Sequence, residues 1–396
     1  MPMLVARGLR RRLRSALLLG LAAGLLAAAA PPHAQPAYQH LVGALHEHSG
    51  YSDGYPGSTP GHYYASARGF GLDFLGAGEH SDSLDIPFVF SEECLGPGIV
   101  QCPFGDEPER ALRKWDAMQA YAQEATDERF VGFRGFEWTS DRFGHINVYY
   151  SRNFANAKAD GGYATMETFW RWFATGPDLG GGSDGLATFN HPGAKRLDNA
   201  DPAFNWNDFA YVPEADERMV GIEVYNDDDE FGSRGPDGGY YVHALDRGWH
   251  VGAIGAEDLG HIRGDDWGGP TWAKTVVLAQ ERTAQAIHDA LLARRFYAVR
   301  FPGIRLEFSV DGQPMGARLG QDTGDRLKVR ARSNRDDLRL ELVTTGAQVV
   351  ASAAAGEALQ PNLPWDPGHP WFFVRAVAPS GAVLAYSSPV WVTANG

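Results

Sequence analysis

Short apolar runs recur between residues 40 and 280, and several of them end on an imidazole or a carboxylate. The strand-like runs are Leu41–Leu45, Asp73–Ala77, Phe130–Phe136, Ile146–Tyr150, Leu186–Asn190, Val220–Tyr225 and Val251–Gly255. They are bounded by glycine and proline, as strands are. Helix-like stretches lie between several of them, at Thr59–Arg68, Glu107–Glu128, Met166–Ala174 and Gly239–Gly248, and Thr283–Arg295 follows the last run. Seven strand–helix alternations whose polar residues return to one end predict an α/β barrel over residues 35–302. An open doubly wound sheet would gather its ligands at one switch point, from fewer strands. After Pro302 the pattern becomes Leu306–Val310, Leu327–Ala331, Leu338–Val343, Trp371–Val377 and Val390–Val392, broken by Gly, Asp and Pro. That texture predicts a small all-β sandwich of immunoglobulin-like size over residues 303–396. Ala351–Ala355 reads as a turn or a short helix.

The first 34 residues read differently. Arg7, Arg10, Arg11, Arg12 and Arg14 precede the apolar run Ala16–Ala30, and Pro31 and Pro32 break it. This is the pattern of a secretory signal, and the run is shorter than a membrane-spanning helix needs. The expectation is an exported protein, periplasmic or extracellular, with no stable membrane insertion after signal cleavage. Losing this segment takes the formal charge from −14 to −19. With no basic stripe interleaved with aromatics, nucleic acid is excluded as a partner. Export also favours a disulfide between Cys94 and Cys102, two close cysteines in a Gly/Pro loop.

The candidate chemistry lies at the run ends. His46 and His48 alternate, so they share one strand face. Asp53 follows in a turn with Gly54, His80 ends one run, Glu137 ends the next, and His145 opens another. His191 ends a run that Pro192 stops, and Asp258 is followed three residues later by His261. Histidine with Asp and Glu is the ligand chemistry of Zn, Mn or Fe. Six of the chain's 13 histidines in this pattern make a metal centre the leading expectation.

The segments His46-Glu47-His48-Ser49-Gly50-Tyr51-Ser52-Asp53-Gly54, Gly78-Glu79-His80-Ser81-Asp82, Gly135-Phe136-Glu137-Trp138-Thr139, Phe189-Asn190-His191-Pro192 and Glu223-Val224-Tyr225-Asn226 resemble the PHP family of polymerase and histidinol phosphatase domains. The likeness covers residues 40–300. Together with the trailing β segment and the ending Ser387-Ser388-Pro389-Val390-Trp391-Val392, the chain looks like the exported, carbaryl-hydrolase-like branch. The resemblance implies a distorted (β/α)7 barrel and two or three divalent metal ions. It implies that His46, His48, Glu137 and Asp258 hold one ion. Glu137 with His145 and His191 would hold a second, and Asp53, His80 and His261 a third. The family's closing Asp-x-His is here one residue longer, Asp258-Leu259-Gly260-His261.

The function so implied is metal-dependent hydrolysis of a small-molecule phosphate ester, by a hydroxide shared between two cations. Glu137, Asp258 and His80 carry the catalytic roles in this reading. Arg142, Lys195 and Arg263 are candidates to clamp the substrate phosphate. Hydrolysis of a carbamate or carboxylic ester at the same centre is the second reading, and a non-catalytic metal-holding binding protein the third. Two further signals are decoys. Gly181-Gly182-Ser183-Asp184-Gly185 fits a nucleophile elbow but precedes a strand instead of joining strand to helix. Asn226–Glu230 is acidic without the calcium-loop spacing. The aromatic stretch Phe169–Phe173 reads as core or lid.

Overall fold

Apolar strands that end in polar residues form where expected, but their pairing is mixed. The structure is a computed structural model and describes residues 37–85, 88–90, 101–103, 113–159, 162–193, 204–258, 265–320 and 326–392. The proposed signal segment lies outside them. So do Cys94, Lys195, His261 and Arg263, and for Cys102 only the backbone is described. Residues Tyr38–Gly396 form one compact unit.

The strands that build the site are β1 (Gln39–Leu45), β2 (Phe74–Gly76), β3 (Glu79–His80), β4 (Val131–Phe133), β5 (Gly135–Ser140) and β6 (Gly144–Tyr149). They continue as β7 (Leu186–Phe189), β8 (Met219–Asn226), β9 (Gly252–Ala256), β10 (Lys274–Ala279) and β11 (Phe296–Val299). Five of the helices are α1 (Pro60–Gly69), α2 (Lys114–Ala125), α3 (Met166–Ala174), α4 (Tyr240–Asp246) and α5 (Ala284–Leu292). Thr165 caps α3 by accepting from the Thr168 amide, and Thr283 caps α5 by accepting from the Ala286 amide, each satisfying a first-turn donor.

One sheet runs β4-β2-β1-β10-β11 and a second runs β3-β5-β6-β7-β8, with β9 also on β8. The chain passes from the first to the second twice, across Ala77-Gly78 between β2 and β3 and across Arg134 between β4 and β5. β1–β2, β2–β4, β3–β5, β7–β8 and β8–β9 are parallel. β6 runs antiparallel to both β5 and β7. That reversal is why His145 lies at the start of its strand, whereas His80 ends its own and His46, His191 and Asp258 follow theirs. Glu137 departs from the expected run end and lies inside β5, because the chain re-enters a strand at Gly135 after Arg134.

The first sheet does not stop at Pro302. β11 pairs antiparallel with Val383–Ser387, and the sheet continues through Trp371–Val377 and Val390–Val392. An apolar cluster joins Val276, Tyr297 and Val299 to Leu306, Phe308, Leu327, Phe372 and Val374. A four-stranded sheet containing Leu306–Val310 and Arg326–Ser333 supplies part of that cluster. Burial of such side chains contributes about 1.5–3 kcal/mol each before entropy costs. Ala351–Ala355 departs from expectation. Gln348–Ala353 is a strand paired with Arg339–Thr344, because cross-strand pairing outweighs the weak strand preference of alanine. The aromatic stretch behaves as core: Phe169, Trp170 and Phe173 are buried against Trp138 and Trp249.

Candidate metal centre

Eight of the nine expected ligands fall within the described residues, and their side chains meet at one end of the strands. Glu137 is the hub. Its Oε1 lies 3.1 Å from His46 Nε2, 2.9 Å from His145 Nδ1 and 3.1 Å from His191 Nε2. Its Oε2 lies 2.7 Å from His80 Nδ1. Asp258 is the second hub, 3.0 Å from His48 Nε2, 3.4 Å from His46 Nε2 and 3.7 Å from His191 Nε2. Asp53 faces His80 Nε2 at 3.1 Å and His48 Nδ1 at 3.7 Å.

Four overlapping trios have donor atoms close enough to share an ion: His46, His48 and Glu137; His46, His191 and Asp258; His48, Asp53 and His80; His80, Glu137 and His145. The donor set fits divalent cations on a further observation. His46 Nε2, His145 Nε2 and Glu137 Oε2 are buried yet make no hydrogen bond among the described residues. Buried polar atoms that have charged neighbours but no aligned hydrogen bond are costly, and a bound cation satisfies such atoms. The mixture of imidazole and carboxylate does not choose among Zn, Mn and Fe.

The electrostatics follow from crowding. Burial would raise the Glu137 carboxyl, but His145, His46 and His80 hold it well below the usual carboxylate range. Burial would likewise raise Asp258, and His46, His48 and His191 hold it well below. Burial would depress His46, yet Asp258, Glu137 and Glu223 carry it well above its ordinary value. His80 is pushed up to about 10: burial opposes, and Glu137 and Asp53 prevail. His48 goes the other way, lowered by burial and by its neighbour His80.

Backbone strain marks the same place. His46 (φ 73°), His191 (φ 25°) and Asp258 (φ 51°) all occupy the left-handed side of backbone space, each immediately or shortly after its strand. Such residues persist only when their surroundings over-determine them. The His46 amide donates to Gly76 O at 3.2 Å, and the Asp258 amide donates to His46 O at 3.0 Å.

Several residues around the ligands were not read from the sequence as part of the site. Glu79, wholly buried, accepts from the Ser49 amide at 3.0 Å and from the hydroxyls of Ser49 and Ser52. It thereby fixes the turn that presents Asp53. Gly54 belongs to that turn, and a Cβ there would sit 2.5 Å from the His48 carbonyl. Asn190 donates to Glu137 Oε1 at 2.9 Å. Thr139 Oγ1 donates to Glu137 O and stands 2.8 Å from His80 Nδ1. Glu223 faces His46 Nδ1 at 2.7 Å. It lies inside the apolar run Val220–Tyr225, and a carboxylate within such a run was the signal available. Lys158, paired with Asp82 at 3.1 Å and Asp141 at 3.2 Å, is a cation beside the site. Arg142 lies exposed in the β5–β6 turn, with its guanidinium 5.2 Å from the Phe143 ring centre. Ser183 is buried, with its Oγ accepting from the Gly185 amide at 3.0 Å, so it is no exposed nucleophile.

No family model and no curated protein matches the chain. Among solved structures, the chain is similar to a two-domain protein containing a predicted PHP-like metal-dependent phosphoesterase from Bacteroides vulgatus, at 19% identity over 89% of this chain and 95% of that one, with a TM-score of 0.44. It is also similar to PsfC from Pseudomonas syringae, at 17% identity over 60% and 82% of the two chains, with a TM-score of 0.34. What the residues themselves establish is a mixed α/β chain with a buried His/Glu/Asp cluster able to hold metal ions.

Proposed function

We propose that the chain is an exported metal-dependent phosphoesterase of the PHP type, acting on a small-molecule ester. The observation that carries this reading is the convergence of three imidazole nitrogens within 3.1 Å of Glu137 Oε1, beside a second carboxylate hub at Asp258. His46, His48, Glu137 and Asp258 would hold one cation, and Glu137, His145 and His191 a second. Asp53 and His80, with His261, would hold a third. When bound, such cations lower the pKa of coordinated water and polarise the scissile bond.

The protein's own residues set the rest. Glu137 turns one oxygen to three imidazoles and the other to His80, so it ties the subsites together. Asn190 holds that carboxylate in place. His80 keeps part of its side chain exposed, and with the third subsite empty its Nε2 would give a proton to the leaving oxygen. Export rests on the composition of residues 1–34. Among the described residues no helix is long and apolar enough to cross a membrane.

Hydrolysis of a carbamate or carboxylic ester is kept as a second reading, on one observation. Lys158 already pairs with two carboxylates, so this cation is not free to grip a phosphate. Turnover of p-nitrophenyl phosphate, naphthyl acetate and carbaryl by metal-loaded protein separates the two. Cleavage of the carbon esters alone would overturn the phosphoesterase reading.

A further inference from the structure

Glu223 and Asn226 lie three residues apart on β8, a spacing that places side chains on opposite faces of a regular strand. Here they touch: Asn226 Nδ2 donates to Glu223 Oε2 at 2.8 Å. The reason is a bulge. In the β8–β9 ladder Glu223 pairs with Ile254 and Tyr225 with Gly255, so Val224 is the extra residue. An extra residue in one strand re-aims the residues beyond it and brings Asn226 round to the face of Glu223. The Val224 carbonyl is turned to the Phe231 amide, which donates to it at 2.8 Å.

The two side chains reach three ligand residues on three different strand ends. Glu223 Oε1 lies 2.7 Å from His46 Nδ1, after β1. A carboxylate at Nδ1 keeps the proton on that nitrogen and leaves the Nε2 lone pair facing Glu137 and Asp258. Glu223 Oε2 accepts from the His191 amide at 2.7 Å, after β7. Asn226 Nδ2 also donates to Asp258 Oδ2 at 3.2 Å, after β9. These three ligands are the ones held at positive φ. One buried carboxylate and one amide therefore address every strained ligand of the cluster.

We infer that Glu223 and Asn226, brought to one face by the bulge at Val224, are the positioning pair of the divalent-cation centre, orienting His46, His191 and Asp258 before the cation arrives. The inference rests on the metal-centre reading proposed above. Neither residue coordinates; both act through the ligands.

The test is cation affinity measured by chelator competition with Zn²⁺, together with the visible spectrum of the Co²⁺-loaded protein, for wild type, Glu223→Gln and Asn226→Ala. In Glu223→Gln the amide can accept from His46 or from the His191 amide, but not from both. The expected result is Zn²⁺ binding weakened about 10–100-fold in Glu223→Gln. A smaller loss is expected in Asn226→Ala, and both should show a shifted Co²⁺ absorption band, with far-UV circular dichroism unchanged. If Glu223→Gln does not fold, Asn226→Ala decides by the same two readouts. Folded variants that keep wild-type affinity and spectrum overturn the positioning role, even if the metal-free protein melts earlier. Wild type that binds neither Zn²⁺ nor Co²⁺ overturns the metal-centre reading itself, so the two failures are distinct.

Discussion

His46 Nε2 and Glu137 Oε1 stand 3.1 Å apart with neither side chain exposed to solvent, and the imidazole nitrogen makes no hydrogen bond among the described residues. Two buried polar groups that close, without alignment for a hydrogen bond, are aimed at a shared point between them. Glu137→Gln keeps the volume and removes the charge at that point. Losing an orienting partner alone costs about 10–100-fold in affinity or activity, and loss of the shared ligand should cost at least as much. Metal analysis after gel filtration should show at least one cation fewer per chain than wild type. An unchanged metal content would remove Glu137 from the centre.

Cation uptake should release protons. Against burial, Glu137 and Asp53 carry His80 up to about 10, so its imidazole holds an extra proton at pH 7 when no cation is bound. Glu137 and Asp258 are held well below the usual carboxylate range and have none to lose. Apparent affinity should therefore tighten as pH rises from 6.5 to 8. Calorimetry in two buffers of different ionisation heat measures the release directly, and zero release contradicts the assignment. The same shift fixes a sign for the metal-free protein. The folded value of His80 lies above its ordinary 6.5, so its stabilisation is full below pH 6.5 and is lost as pH rises through about 10.

Lys114 carries the opposite sign. Its buried ammonium donates to Tyr51 O at 2.6 Å and Ser83 O at 2.9 Å, and burial pushes it down to about 8 although Glu79 opposes. A lysine depressed in the folded state costs stability fully below pH 8, and the cost fades as pH rises towards 10.5. Lys114→Met should thus compare with wild type more favourably at pH 7 than near pH 10.5, by about 3 kcal/mol. Urea denaturation of both proteins across that range tests the slope; a constant difference would mean the ammonium is not strained.

Glu79 should separate one subsite from the others. It anchors Ser49 and Ser52, both within the turn that carries Asp53. Glu79→Ala leaves buried donors unsatisfied, at a cost of about 1–3 kcal/mol. The expected result is loss of the cation bound by Asp53 and His80, with the Glu137 subsites still filled. Loss of every cation at once would instead mean that the subsites are not independent.

The clustered residues were legible because their signal is local. An apolar run with a histidine or carboxylate at its end is visible in a few residues, and His46, His80, Glu137, His191 and Asp258 each have it. The strands β10, β11 and Val383–Ser387 were not read, because their place depends on partners far away in the chain: Val42 opposite Val276, and Tyr297 opposite Ser387. Asn226 was hidden for a sharper reason. Counting by twos along β8 puts it opposite Glu223, and only the pairing with β9 reveals the extra residue between them.

The shared sheet across Pro302 bears on how such a protein could have been assembled over evolutionary time. A segment joined only by a linker can be gained or lost by recombination with little consequence. Here a break at residue 302 would strip Tyr297, Ala298 and Val299 of their partners Ser387, Tyr386 and Ala385 and open an unpaired edge beside the apolar face of Val276. Exposed edges of that kind invite aggregation. The two halves of the described chain are therefore inherited, or corrupted, together.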